Sequence, residues 1–556
     1  MFAARRPVPS VRSAACRAAC RAALRGCPRG GLLASAGVLL LLLASTGAVN
    51  AQVVISVPGD EATIQDALTR ASDGDIIEVA PGNYPEAVSL SGLDVVVRST
   101  GGASVTTINA TGLGQTAVSV AAFGPGTRLE GFTIRGGIAP PGPSWGGGMQ
   151  IGGGSGTMVV KDCVITNNAA QSGGGVAVIV GASVAFEGCT IRGNQATSEG
   201  AGVFIYGSSA SFTDCVIRKN TTGGTGGGLY AVLGSTLEMD DCRILRNTAG
   251  ASGGGITANI GGGGSITLTG CRVEENEAAQ AGGMVVNTSN VTITDCDFLN
   301  NVATTTAIAS GGGLQAQGTQ MLAVSNSRFT GNRGRTGGGV QLVAFTGTAT
   351  ITDCDFAANI ATSEGGGLAC AGNASGTIAG CSFSNNSAPD GGGVQNLAGT
   401  NLAIGTSFFC GNAPDDISGT YSDQGGNTDS AICNGWIDMG YSVQGSNGFP
   451  SLQGTGTLSV GQPGALTLTD ARPGALAVLF VSFTAAPTPF FSGTLIPVPP
   501  QLELSLFTDG AGEIALPFVW PAGLPAGFDI YLQYGIDDPG ALSGVALSNA
   551  LWAESL

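Results

Sequence analysis

Between residues 163 and 412 one local pattern recurs ten times: a small residue, usually Cys, then an apolar residue two places on, then Asn three places after that. The copies are Cys163/Ile165/Asn168, Cys189/Ile191/Asn194, Cys215/Ile217/Asn220, Cys242/Ile244/Asn247, Cys271/Val273/Asn276, Cys296/Phe298/Asn301, Ser327/Phe329/Asn332, Cys354/Phe356/Asn359, Cys381/Phe383/Asn386 and Ser407/Phe409/Asn412. The spacing averages about 27 residues, a length at which one unit cannot bury its apolar side alone and neighbours must stack.

The alternation inside a unit sets what stacks. Val176, Val178 and Val180 alternate with other residues, then Val184 and Phe186, then Cys189 and Ile191, with breaks at Gly181-Ala182 and Glu187-Gly188. Positions three and five before the Cys are apolar in nearly every copy, as in Val160 and Met158 or Leu268 and Ile266, and must face inward. No helical period fits. The fold class expected is all-β: a right-handed parallel β-helix with three strands per coil, its hand set by the crossover preference. The Asn closes a tight turn, where its amide can bond the same turn of the next coil. Glycine triplets follow, as at Gly226, Gly253 and Gly337, and supply left-handed backbone or close approach.

Three segments are expected. Residues 1–51 carry seven Arg and no acid, then the apolar run Gly37–Ala44 and the ending Val49-Asn50-Ala51, the pattern of a cleaved export signal. The uncharged stretch Gly31–Val49 is long enough to span a bilayer, so an uncleaved anchor is the alternative. Residues 52–440 form the β-helix. Residues 441–556, after a Pro/Gly-marked break at Gly440–Pro450, alternate as a small β-sandwich with strands near Thr457–Val460, Ala465–Thr469, Ala475–Phe483, Leu502–Phe507, Glu513–Val519, Phe528–Tyr534 and Val545–Trp552.

Without residues 1–51 the chain keeps 15 bases against 38 acids, which excludes nucleic acid as a partner. No histidine occurs, so catalysis through His, and His-ligated zinc, are excluded. Eight of the 14 cysteines hold one repeat position, and stacked strands lie about 4.8 Å apart, too far for a relaxed disulfide; they read as a buried thiol ladder. Cys410 and Cys433 are spaced to close a loop at the end of the array, and Cys370 is left over.

Thr63-Ile64-Gln65-Asp66-Ala67-Leu68, Asp73-Gly74-Asp75-Ile76-Ile77-Glu78-Val79, Gly82-Asn83-Tyr84 and Gly131-Phe132-Thr133-Ile134 resemble the opening of pectin-lyase-like β-helix proteins. The Gly-Gly and Phe-x-x-Asn repeats resemble passenger repeats of polymorphic outer-membrane proteins, and the two resemblances together cover about residues 53–433. They imply that the segment from Ile64 to Ala71 is an amphipathic helix capping the open core. The chain departs from the autotransporter pattern, because residues 441–556 are too few for an integral membrane barrel.

The outward columns carry any function. After the glycines, one column runs Gln150, Ala177, Phe204, Tyr230, Thr257, Val285, Gln315, Gln341, Ala369, Gln395, and the next runs Ile179, Tyr206, Val232, Asn259. Phe204, Tyr206 and Tyr230 on adjacent coils, with Gln150, Asn259 and Gln315 along the same face, are the binding candidates: rings stack on a pyranose and amides pair with its hydroxyls. Trp145, in the loop from Pro140 to Gly148, either flanks this face or plugs the coil end, and the second is the expectation.

The alternative site is catalytic. Asp214, Glu238, Asp240 and Asp241 precede the repeat cysteines, and Arg218 and Arg243 lie just beyond. Resemblance to polysaccharide lyases of this fold implies calcium held by the acids against a uronate, with an Arg abstracting the proton. The Gly-His-Gly and Arg-Ile-Lys segments of the glycosidases of this fold are missing. The reading is an exported cell-surface or extracellular protein, non-catalytic, structural or polysaccharide-contacting and without a cofactor; the alternative is a calcium-dependent polysaccharide lyase.

Overall fold

A computed structural model describes residues 52–555, apart from 141, 143, 262, 288–289, 306–309, 319–320, 344–346, 398, 431–435, 457, 524 and 526–527. The proposed export segment and Cys433 lie outside the described residues. Gln52–Leu556 pack as one compact unit.

The chain winds into a parallel solenoid whose three main sheets hold 13, 15 and 14 strands. In the coil from residue 226 these are Leu229–Val232 in sheet I, Thr236–Asp240 in sheet II and Arg243–Leu245 in sheet III. The stretch after the Asn, Thr248–Ser252 in this coil, adds a short eight-stranded ladder, sheet IV, which the alternation did not announce because its side chains are small and polar. The helix Ile64–Arg70 buries Ile64, Ala67 and Leu68 over the first coil. Its first turn is held by Thr63, whose Oγ1 accepts from the Asp66 amide at 3.0 Å, and by Glu86, which accepts from the Ile64 and Gln65 amides at 3.0 and 2.9 Å.

Each coil turns two sharp corners, before the Cys and before the Asn, and both corner residues are left-handed: Asp241 at φ 50° and Arg246 at φ 55° in one coil. Gly193, Gly331 and Gly411 fill the second corner in other coils, whereas Ala358 sits there at φ 53°. Ala358→Gly should raise the thermal midpoint, reflecting about 1 kcal/mol of relieved strain.

Inside, the Asn side chains form one continuous ladder. Asn247 Nδ2 donates to the Ile217 carbonyl of the previous coil at 2.9 Å and to Asn276 Oδ1 of the next at 3.0 Å. Its Oδ1 accepts from the backbone and side-chain amides of Asn220, both at 3.0 Å. Phe298, Phe329, Phe356, Phe383 and Phe409 stack beside it with centroids 4.6–5.0 Å apart. The repeat cysteines are buried free thiols; Cys242 Sγ, for one, donates to the Phe212 and Asp240 carbonyls at 3.4 and 3.3 Å. Cys410 is disulfide-bonded and Cys370 is a free, buried thiol.

The C-terminal region is antiparallel. Trp436–Gly440, Ala550–Glu554, Asp529–Asp537, Leu476–Ser482 and Leu502–Phe507 follow one another in one sheet, and Ser451–Thr455, Pro463–Thr469 and Ile514–Val519 in another. Leu452, Leu466 and Leu468 meet Leu479, Leu532 and Leu551 in one core. Leu458–Val460 is not a strand, contrary to expectation, because its turn carries the chain between Ser451–Thr455 and Pro463–Thr469.

This region lies on the outer face of sheet III. Arg243 Nη2 donates to Ser442 Oγ at 3.2 Å and its guanidinium covers the Phe449 ring. Glu274 Oε2 stands 3.0 Å from Arg272 Nε and 3.4 Å from Arg243 Nη2, while Oε1 accepts from the Tyr441 amide at 2.7 Å. Arg328 grips Asp297 in a two-pronged pair at 2.7 and 2.9 Å and reaches Asp438 at 3.3 Å. Gly440 crosses this cluster at φ 81°, where an added Cβ would lie 2.8 Å from Glu274 Oε1.

Candidate functional site

The aromatic residues do come together, though not as an open strip. Phe204 and Tyr230 stack at 5.9 Å, and Trp145 stacks on Tyr206 at 5.7 Å and leans on Phe204 at 6.3 Å. Phe204 is only 2% exposed; Tyr206, at 37%, is the open ring. Trp145 is therefore no coil-end plug: parallel pairing with Ser172 brings its loop alongside sheet IV, so that the indole reaches the cluster of Ala177, Ile179 and Phe204. Burial raises the Tyr230 hydroxyl pKa, with Glu199 adding and a hydrogen bond from exposed Asn259 opposing.

Gln315 is a different case. It is 5% exposed, walled in like Gln341 and Gln395 in the same column, so it is not part of an open face. Column position alone did not reveal this, because the covering elements are the Gly-rich turn and sheet IV.

Gln150, half-buried, lies on the floor of a trough of about 820 Å³ at the N-terminal end of sheet I. Ser119, Ala121 and Gly152 share that floor and Ile179 stands at its edge, in apolar contact with the aromatic cluster. At Gly152 an added Cβ would lie 3.3 Å from Ile179 Cγ1 and occupy the trough. The small residues Ser119, Ala121 and Ala122 and the glycines at 152–154 were the signal for this hollow in the sequence.

Of the alternative catalytic set, Asp214, Asp240 and Asp241 lie near one another, whereas Arg218 and Arg243 stand apart from them. Glu238 and Asp240 project from sheet II, Asp214 and Asp241 sit at the left-handed corner, and Arg218 lies round that corner on sheet III. Burial, with Asp240 and Asp214 near, raises the Asp241 carboxyl pKa. Among the described residues no three acidic or thiol side chains are grouped to hold a metal ion. Arg243, 8% exposed beneath Ser442 and Phe449, belongs to the contact with the C-terminal region and is closed to a substrate.

The family model described as "Right handed beta helix region" matches residues 95–315, 201–360 and 253–409, more than half of the chain. The chain belongs to the right-handed β-helix family. No curated protein is similar to it in sequence. Solved structures similar to this β-helix include the catalytic unit of a thermostable GH87 alpha-1,3-glucanase from Streptomyces thermodiastaticus, at 13% identity and TM-score 0.33, covering 66% of this chain. The β-helix spans 65% of that glucanase unit. The Dettilon tailspike protein is similar at 13% identity and TM-score 0.30, with 90% and 93% of the two chains covered. The A-module of a mannuronan C-5 epimerase from Azotobacter vinelandii is similar at 12% identity and TM-score 0.28, with 66% and 94% covered. No helix of the described residues is long and apolar enough to cross a membrane.

Proposed function

We propose that this β-helix is an exported, non-catalytic surface or extracellular protein that holds a polysaccharide along the outer face of sheet I. The observation that carries the reading is the trough itself. Its floor of Ser119, Ala121, Gln150 and Gly152 is flat and largely apolar, with one hydroxyl and one amide set in it, and beyond Ile179 stands the Trp145–Tyr206 stack. Flat apolar floor and ring edge suit the faces of a sugar, while hydroxyl and amide groups pair with its hydroxyls. The parallel sheet extends the surface past Tyr230 and Asn259, so a chain rather than a single sugar fits it.

Retention of the full chain on a panel of immobilised neutral and acidic polysaccharides tests this. Tyr206→Ala should weaken retention on the bound polymer by roughly 3–10-fold, the worth of one ring contact. Equal retention by wild type and by a Trp145→Ala/Tyr206→Ala double variant would remove the proposal, as would retention on none of the panel. Shortening of any polymer during incubation would reverse the non-catalytic part.

A further inference from the structure

A second feature lies on sheet III, independent of the trough. Arg192 and Arg218 are register partners on successive coils, and the corners beside them hold Lys219 and Arg246. Four cations gather here in a chain with 38 acids and 22 bases. Arg246 is already engaged, paired with Glu275 and donating to the Ser492 carbonyl at 3.1 Å. Arg218 is half-buried and, among the described residues, its guanidinium has neither a hydrogen bond nor an ion pair. Burial lowers the Arg218 pKa, with Arg192 and Arg246 adding, and Lys219 is lowered likewise by burial and by the three arginines.

Gathering unpaired like charges at a partly desolvated place is costly unless a counter-charge arrives. Arg218 and Arg246 form one wall of a cleft of about 320 Å³ closed on the other side by the C-terminal region. That second wall brings Ser442, Gln444 and Ser492, with Phe449 at the base. The acid next to this wall, Asp538, is buried and saturated: it accepts from the Ser446 amide and hydroxyl at 2.6 and 3.0 Å and from the Gly540 amide at 2.9 Å. It is thus engaged by Ser446 and Gly540 inside the C-terminal region.

We infer that this cleft is a binding site for a tetrahedral oxyanion, sulfate or phosphate, held by the forked donors of Arg218, with Arg192 and Lys219 beside that arginine adding positive charge. A guanidinium suits this geometry because its parallel N–H groups meet two oxygens at once. The anion can arrive free or as an ester on a sugar, and the chemistry of capture is the same.

Calorimetric titration of the full chain with sodium sulfate and with sodium phosphate, at constant ionic strength set by chloride, tests the site. Saturable binding below about 1 mM is expected, weakened at least tenfold in Arg218→Met and several-fold in the exposed Arg192→Gln. Tyr206→Ala should leave it unchanged, which separates this site from the trough. Tighter binding of galactose 6-sulfate than of sulfate would identify the ester as the form taken; equal binding would identify the free ion. Absence of saturable binding up to about 10 mM, or equal binding by wild type and both arginine variants, would overturn the inference.

Discussion

Replacing Asn247 by Ala should lower the stability of the β-helix by about 2–6 kcal/mol, a large effect for one exchange of uncharged side chains. The amide of Asn220 and the carbonyl of Ile217 both lose their Asn247 partners, at 3.0 and 2.9 Å, in an interior that water does not reach. Each buried orphan costs about 1–3 kcal/mol, and two are created. The loss should appear as a fall in the thermal midpoint and as faster amide exchange in the coils on either side, because each coil rests only on its neighbours. Gln195→Ala, exposed beside the same ladder, should change neither. An Asn247→Ala protein as stable as wild type would mean that the ladder is a by-product of the corner rather than what holds it.

Glu274→Ala should free the C-terminal region from sheet III. Glu274 is 2% exposed and lies between Arg243 and Arg272, so its removal takes from both guanidinium groups the carboxylate they share in direct contact. Breaking a buried pair in this way costs about 3–5 kcal/mol. The contact, rather than the solenoid, should yield: limited proteolysis should cut between the last coil and residue 440 while the parallel core keeps its thermal transition. Glu274→Gln, which still accepts from the Tyr441 amide, should be cut more slowly. Resistance of Glu274→Ala to cleavage would place the strength of the contact in the apolar side chains beneath it, Leu245 and Leu299.

The solenoid was legible in the sequence because its signals are one-dimensional. The Cys–Ile–Asn spacing fixed the coil length and the alternation fixed which side chains point inward, while the capping helix came from the family resemblance of the segment at Ile64. What crosses between coils at a distance was not legible. The charges at Arg243, Arg272, Asp297 and Arg328 occupy an outward strand position that varies freely from coil to coil, with Val216 before them and Ser382 after, and on a repeat they look like a solvated face. They are in fact the seat of a region some 200 residues further along, as the Arg243–Ser442 contact shows. The aromatic site was half legible for the same reason: adjacency of Phe204, Tyr206 and Tyr230 follows from the register, whereas the indole laid across them comes from a loop with no repeat position.

The Asn ladder also has a direction. Every Asn reaches forward to the Oδ1 of the next, at sequence separations of 25 to 31 residues, until Asn412 reaches the Asp416 carboxylate at 2.7 Å instead. Each coil thus presents its successor with the socket its predecessor offered it. A coil inserted or removed whole would find both neighbours ready, so such a chain can change its reach in steps of about 4.8 Å while its capping helix and its final carboxylate stay as they are.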